Sequence, residues 1–487
     1  MRHLLITLSL FLIFSSTYAQ QKHEVRAAWI TTAYALDWPK SKANTPAGIR
    51  QQKEELITIL DKLYAANFNT ILFQARTRGD VFYPSGIEPY SAMLTGTVGK
   101  NPGYDPLAFI IEECHKRGME CHAWMVGIPL GSAAQVRTLG KESVTKKQPG
   151  ICIQHKNQWY LNPGSPGVKQ YLMRLVEEIV NKYDIDGIHL DYLRYPENEP
   201  KFPDRKEFLQ YRKGKSIEEW RRDNLTEIVR HIYKGIKDRK PWVKFSSSPV
   251  GRYRNTARYQ SNIWSAYHTV YQDVQKWLAE GIQDQIYPMM YFRGNNFYPY
   301  ALDWQERSNG RHIVLGLGIY FLDPKEGNWT REEIERQIYF IRNNGLAGQA
   351  YYRVGFLMNN TQGLYDELNE KFYIHQALQP PMPWLNSAPP TTPTDLKMTV
   401  QGGYTTLTWN TSTDDDPKNE PYYTIYGSNS YPVDTSNPEH IIAQRIRKNR
   451  YLHAPIYSWD ARRYFAVTAV DRYGNESEAV QVQLERR

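Results

Sequence analysis

The stretch Asp186-Gly187-Ile188-His189-Leu190-Asp191-Tyr192-Leu193-Arg194-Tyr195-Pro196 reads as a buried strand that ends in a carboxylate, an arginine and two tyrosines. Side chains alternate along a strand, so Gly187, His189 and Asp191 share one face while Ile188 and Leu190 take the other. If the apolar pair packs against a helix layer, His189 and Asp191 point into a barrel, with Asp191 nearer the rim. A β/α barrel presents its chemistry at the C-terminal ends of its strands, where Asp191 stands.

Seven more runs carry strand character: Val25 to Ile30, Thr70 to Arg76, Met119 to Val126, Val243 to Ser248, Gln285 to Phe292, Ile313 to Tyr320 and Gln349 to Val354. Helical spacing of apolar residues fills the gaps, over 50–66, 106–117, 168–183, 217–238, 266–280 and 331–343. The alternation predicts an α/β fold, a (β/α)8 TIM-type barrel over residues 24–378. The connections after the third and fourth strands are long, which suits a substrate cleft.

Proline clusters at Gln379-Pro380-Pro381-Met382-Pro383 and Pro389-Pro390-Thr391-Thr392-Pro393 read as a semi-rigid linker over 379–393. Beyond it, short alternating strands such as Thr405-Thr406-Leu407-Thr408-Trp409 and Tyr464 to Asp471 predict a small all-β sandwich over 394–487. At the other end, Arg2, an apolar run from Leu4 to Phe14 and Thr17-Tyr18-Ala19 read as a cleavable signal peptide over 1–19. The protein is therefore expected to be secreted or periplasmic, without stable membrane insertion after cleavage.

Lys and Arg exceed Asp and Glu by 9 in 487 residues, but they are scattered, and no nucleic-acid-binding module is recognisable. Three cysteines, Cys114, Cys121 and Cys152, exclude a full disulfide framework, and no zinc-ligand spacing occurs. The 36 Tyr and 13 Trp favour a carbohydrate partner, because aromatic faces stack on sugar rings while hydroxyl and indole N–H groups supply hydrogen bonds.

Several residues join Asp191 as candidates. Gln74 and Arg76 share a face of the second strand, and both need partners that an apolar core does not offer. Asp80 follows them as a second carboxylate or as a turn former. His122 and Trp124 share a face of the third strand, Ser248 ends the fifth, and Tyr291 ends the sixth. Arg194 and Tyr195 follow Asp191, where Arg194 either meets substrate or pairs with Asp191. Cleavage of a glycosidic bond generally uses two carboxyl groups. Asp191 with Asp80 meets that need, leaving retention or inversion open. A substrate-assisted route needs Asp191 as acid and a group such as Tyr291 to hold an acetamide.

The segments Glu24 to Ile30, Phe73-Gln74-Ala75-Arg76 with Gly79-Asp80 and Tyr83-Pro84-Ser85, Trp159 to Gly164, Tyr183 to Tyr192, Trp220 to Asn224 and Ser248 to Gly251 resemble the glycosyl hydrolase-like 10 family. The C-terminal strands resemble a fibronectin type III module. The family resemblance implies a barrel that acts on bacterial envelope glycan, its best-described type taking peptidoglycan strands stripped of peptides. It also implies Asp191 as acid and Gln74, Arg76 and Asp80 as cleft residues. The chain departs from the family at Tyr192, where many members have a second acid, and at Met289, where a glutamine is common. The expectation is an exported glycoside hydrolase with a polysaccharide substrate and no metal or organic cofactor. The rivals are a glycan-binding protein on a degenerate barrel, or a hydrolase of another polysaccharide.

Overall fold

The computed structural model describes residues 20–197, 201–416, 418–455 and 461–483; the signal-peptide reading of 1–19 falls outside them. Eight parallel strands close a barrel: β1 Val25–Ile30, β2 Thr70–Arg76, β3 Glu120–Val126, β4 Gly187–Asp191, β5 Lys244–Ser247, β6 Gln285–Ile286, β7 His312–Leu317 and β8 Gly348–Tyr351. Their order around the barrel is β1-β8-β7-β6-β5-β4-β3-β2. The sixth strand is far shorter than its sequence suggests. Pro288 has no N–H to give the ladder, and contact continues only as isolated bridges at Met289.

Outside the strands run α1 Pro46–Ala65, α2 Pro106–Lys116, α3 Gly167–Lys182, α4 Ile217–Lys237, α5 Val274–Ala279, α6 Tyr298–Glu306 and α7 Arg331–Asn343. The helix starts have local causes. Thr45 accepts from the Gly48 amide with Pro46 in the first turn, and Ser216 with Glu219 forms a reciprocal capping box on α4. The helix expected over 266–280 is divided: Ala266–Thr269 forms one turn, and α5 starts at Val274.

Val168, Leu172, Leu175, Val176 and Ile179 of α3 join the apolar layer between helices and strands, together with Ile188 and Leu190 of β4. The barrel interior is different. Its upper part holds Trp29, Trp124 and Tyr287, and its base is polar, with Glu120 bound by Lys244 at 2.7 Å and by His122 at 3.0 Å.

The C-terminal region forms two antiparallel sheets. One contains Thr394–Gln401, Tyr404–Asn410 and Arg450–His453; the other contains Ile441–Ile446, Tyr422–Ser428, Tyr464–Val470 and Val480–Gln483. Leu407, Trp409, Ile425, Phe465 and Val467 pack between them.

This unit sits against the base of the barrel. Arg445 reaches Asp186, just before β4, at 2.5 Å and Glu120, the first residue of β3, at 3.3 Å; Arg472 reaches Asp184 at 2.6 Å. The proline-rich segment, read from the sequence as a semi-rigid linker, is laid along the same surface. Gln379 donates to Thr70 Oγ1 at 2.7 Å, Met382 is buried, and the Trp384 indole donates to Asp284 at 3.1 Å while packing on His312.

Candidate active site

At the opposite end, the C-terminal rims of the strands surround a cleft of about 320 Å³. Asp191 lies in it and is 6% exposed. Just past β4, Tyr192 has φ 50° and its amide donates back to Asp191 Oδ1 at 2.8 Å. Ser248, at the end of β5, donates its hydroxyl to the same oxygen at 2.7 Å, and Trp124 of β3 donates its indole N–H to Oδ2 at 3.2 Å. Burial raises the pKa of Asp191, and these hydrogen bonds together with the charge of Arg194 oppose the rise without cancelling it. Oδ1 takes two donors and Oδ2 one, so Oδ2 is the oxygen with a lone pair left over for a proton.

The rest of the wall is aromatic. Tyr291 stacks on Tyr352 with ring centroids 5.6 Å apart, and Tyr320 meets Tyr291 edge-on at 5.7 Å. Trp29, at the end of β1, lies 6.1 Å from Tyr352. Among the described residues, the hydroxyls of Tyr192, Tyr291, Tyr320 and Tyr352 have no protein hydrogen-bond partner, and burial holds all four phenols above their ordinary pKa. They are donors and acceptors without a protein occupation, beside faces that suit sugar rings.

The candidates read from the sequence separate into two groups. Gln74, Trp124, Asp191, Ser248 and Tyr291 all line the cleft. Gln74 is also structural, since its Oε1 accepts from the amides of Thr32 and Ala33 at 3.0 and 2.8 Å and so holds the loop after β1.

The others lie elsewhere. Arg76 is fully buried and forms a two-armed ion pair with Glu88, 2.7 Å on each arm, which Tyr171 of α3 supports at 2.6 Å. Its misplacement has a simple cause. The pairing of β2 with β3 shifts between Gln74 and Arg76, and the extra residue turns Arg76 away from the barrel interior.

Asp80 does not line the cleft; its carboxylate accepts from the Thr77 hydroxyl and from the Arg78 amide, closing the turn at Gly79, where φ is 85°. His122 points inward but sits at the base, on Glu120. His189 is one layer below Asp191, where its Nε2 accepts from Trp29 at 3.4 Å and its Nδ1 bonds to Ser246 at 2.9 Å. Burial, then the neighbouring His122, holds its pKa well below the ordinary value, so it is a neutral support for Trp29.

Arg194 pairs with Glu197 at 2.8 Å and lies over the Tyr192 ring, and no ion pair joins it to Asp191 among the described residues. Tyr195 is buried beside α4, with its hydroxyl held by Asn224 at 3.1 Å. Asp223 of α4 is bound by Lys215 and Lys276. Residues that sequence reasoning missed are Trp29, Tyr34, Arg78, Tyr320 and Tyr352. Their one visible signal was an aromatic or cationic side chain at or just past a strand end.

Among the described residues, Asp191 is the one carboxylate lining the cleft, and no group of three or more His, Cys, Asp or Glu is placed to hold a metal ion. Asp37, close by in sequence to the cleft residue Leu36, is engaged by Arg353 and the amides of Thr31 and Gly355.

The family model described as glycosyl hydrolase-like 10 matches residues 24–318. The chain is 33% identical over 486 residues to glycosyl hydrolase YngK of Bacillus subtilis, covering 95% of this chain and 93% of that one. It is 32% identical over 359 residues to glycosyl hydrolase DigH of Escherichia coli K12, covering 70% and 76% respectively. The glycoside hydrolase domain of PgaB from Bordetella bronchiseptica overlays with a TM-score of 0.46 at 14% identity, over 72% of this chain and 99% of that one. On the matched family model and these two sequence relatives, the chain belongs to the glycosyl hydrolase-like 10 family.

Proposed function

We propose that the cleft hydrolyses O-glycosidic bonds in an amino-sugar polymer of the bacterial envelope, peptidoglycan glycan strands in the first place. Family membership makes the chain a glycoside hydrolase. The observation that carries the choice of substrate class is that, among the described residues, Asp191 is the one carboxylate in the cleft, half enclosed by tyrosines. One acid is too few for the ordinary two-carboxylate routes, but it suffices where the sugar brings its own nucleophile.

In that route the acetamide oxygen of an N-acetylated sugar attacks the anomeric carbon while Asp191 Oδ2 gives its proton to the departing glycosidic oxygen. The C–O bond breaks and a cyclic oxazoline-type intermediate forms. Water then adds to the anomeric carbon, returns its proton to Asp191, and regenerates the acetamide. Tyr291 holds the acetamide, and the ring faces of Trp29 and Trp124 seat the sugars. An exported protein with its substrate outside the cytoplasm fits the leader-like residues 1–19, and the C-terminal unit is read as a fibronectin type III-like module.

The test is release of new reducing ends from peptide-free glycan strands by the purified chain, compared with Asp191→Asn, and competition by a thiazoline analogue of the oxazoline. Equal absence of product from both proteins defeats the hydrolase reading. Hydrolysis that the thiazoline leaves untouched defeats substrate assistance alone.

A further inference from the structure

Within the proposed hydrolase cleft, we infer that Arg78 determines specificity by receiving a carboxylate carried on a sugar of the substrate. Among the residues that line the cleft, Asp191 is the one Asp or Glu and Arg78 the one Lys or Arg. Asp191 is enclosed by its donors, and Arg78 has no carboxylate within ion-pair distance among the described residues. Its neighbours at this end of the barrel are otherwise: Arg194 has Glu197, and Arg353 has Asp37.

The guanidinium is held in place by a neutral partner. Nη1 donates to the Tyr34 hydroxyl at 2.9 Å, and that hydroxyl also accepts from Gln135 at 3.0 Å. The Tyr34 backbone has φ 55°, and the loop that carries it is tied down by Gln74. Tyr192, on the other flank and within reach of the Arg78 charge, has φ 50°. Left-handed backbone at two bulky residues is unfavourable and persists where the surroundings enforce it. Here both strained residues bracket one cation.

A guanidinium has five N–H donors in a planar fork. One is engaged by Tyr34, and among the described residues no carboxylate lies within ion-pair distance of the rest, so a carboxylate on the ligand supplies the matching two-oxygen acceptor. Among glycans, the chemistry that fits is an acidic sugar, either a lactyl ether with a free carboxyl group or a uronic acid.

Binding decides the point independently of turnover. In full-length Asp191→Asn protein, calorimetry compares peptide-free peptidoglycan oligosaccharides with free lactyl carboxylates, the same oligosaccharides converted to methylamides, neutral chito-oligosaccharides, and N-acetylglucosamine–glucuronate oligosaccharides. One of the two carboxylate-bearing sets is expected to bind about ten- to hundredfold more tightly than the neutral sets, as a charged hydrogen-bonded pair provides. The preferred set identifies the source as lactyl or uronate. Arg78→Met should abolish the preference, Arg78→Lys should keep part of it, and Tyr34→Phe, which leaves the guanidinium intact but unpositioned, should reduce it severalfold. Equal affinity for all four sets, no binding of any, or a preference that survives Arg78→Met overturns the assignment. Absence of hydrolysis by wild type, with the binding preference intact, sinks the hydrolase reading and leaves Arg78 standing.

Discussion

The Ser248 hydroxyl lies 2.7 Å from Asp191 Oδ1, and it opposes the upward push of burial on that carboxyl by stabilising the ionised form. An acid raised above the ordinary carboxylate range of about 3.9 stays protonated to higher pH, and its activity falls as pH rises through the raised value. Ser248→Ala removes an opposing donor, so the basic limb of the kcat/KM profile should move to higher pH. Retention of the wild-type limb would show that Ser248 does not tune the acid.

Replacement of the acid itself should be severe. Asp191→Asn is expected to lower kcat on peptide-free glycan by about 10²–10⁴-fold, the usual worth of a positioned proton donor. Asp80→Asn, whose carboxylate closes a turn outside the cleft, should change kcat little while lowering thermal stability. Comparable loss of kcat in both variants would restore Asp80 to the chemistry.

Glu88→Gln probes the other corrected residue. It leaves the fully buried Arg76 guanidinium without its countercharge, and breaking a buried pair in this way costs about 3–5 kcal/mol. Denaturant unfolding should register that loss, with KM near wild type in the folded fraction. A selective rise in KM at unchanged stability would instead put Arg76 in contact with substrate.

These contrasts show what the sequence makes legible. Strand alternation finds the inward face, and for Gln74, Trp124, Asp191 and Ser248 that face is the cleft. Alternation gives face but not height, so His122 and His189 point inward yet sit at the base and in the middle of the barrel. It also fails wherever a residue is inserted. The bulge after Gln74 reverses Arg76, and nothing in Phe73-Gln74-Ala75-Arg76 announces it. Arg78, Tyr320 and Tyr352 lie past the strand ends, where position depends on loops that no periodicity describes.

Acid should loosen the joint between the two parts of the chain. Burial alone would raise the carboxyls of Glu120 and Asp186, but Lys244 and Arg445 outweigh it at Glu120, drawing it down to about 2, while Arg445 and His115 hold Asp186 well below its usual range. Depressed carboxylates contribute stability above their unfolded pKa of about 4, and that contribution is lost as pH falls through the folded value. Protease cleavage within 379–393 should therefore rise between about pH 4 and about pH 2, and Arg445→Ala should show the same cleavage at neutral pH. Resistance of Arg445→Ala to proteolysis would mean that the docking depends on the apolar contacts of Met382 and Trp384 instead.

The C-terminal sheets occupy the foot of the barrel, with Arg445 on Asp186 at one end of β4 and Asp191 at the other. A surface gripped by those sheets is thus held a full strand length behind the point of reaction, facing the opposite way. On the proposed reading, glycan that meets Asp191 would pass at one end of the barrel, and a surface bound by the C-terminal sheets would stand at the other.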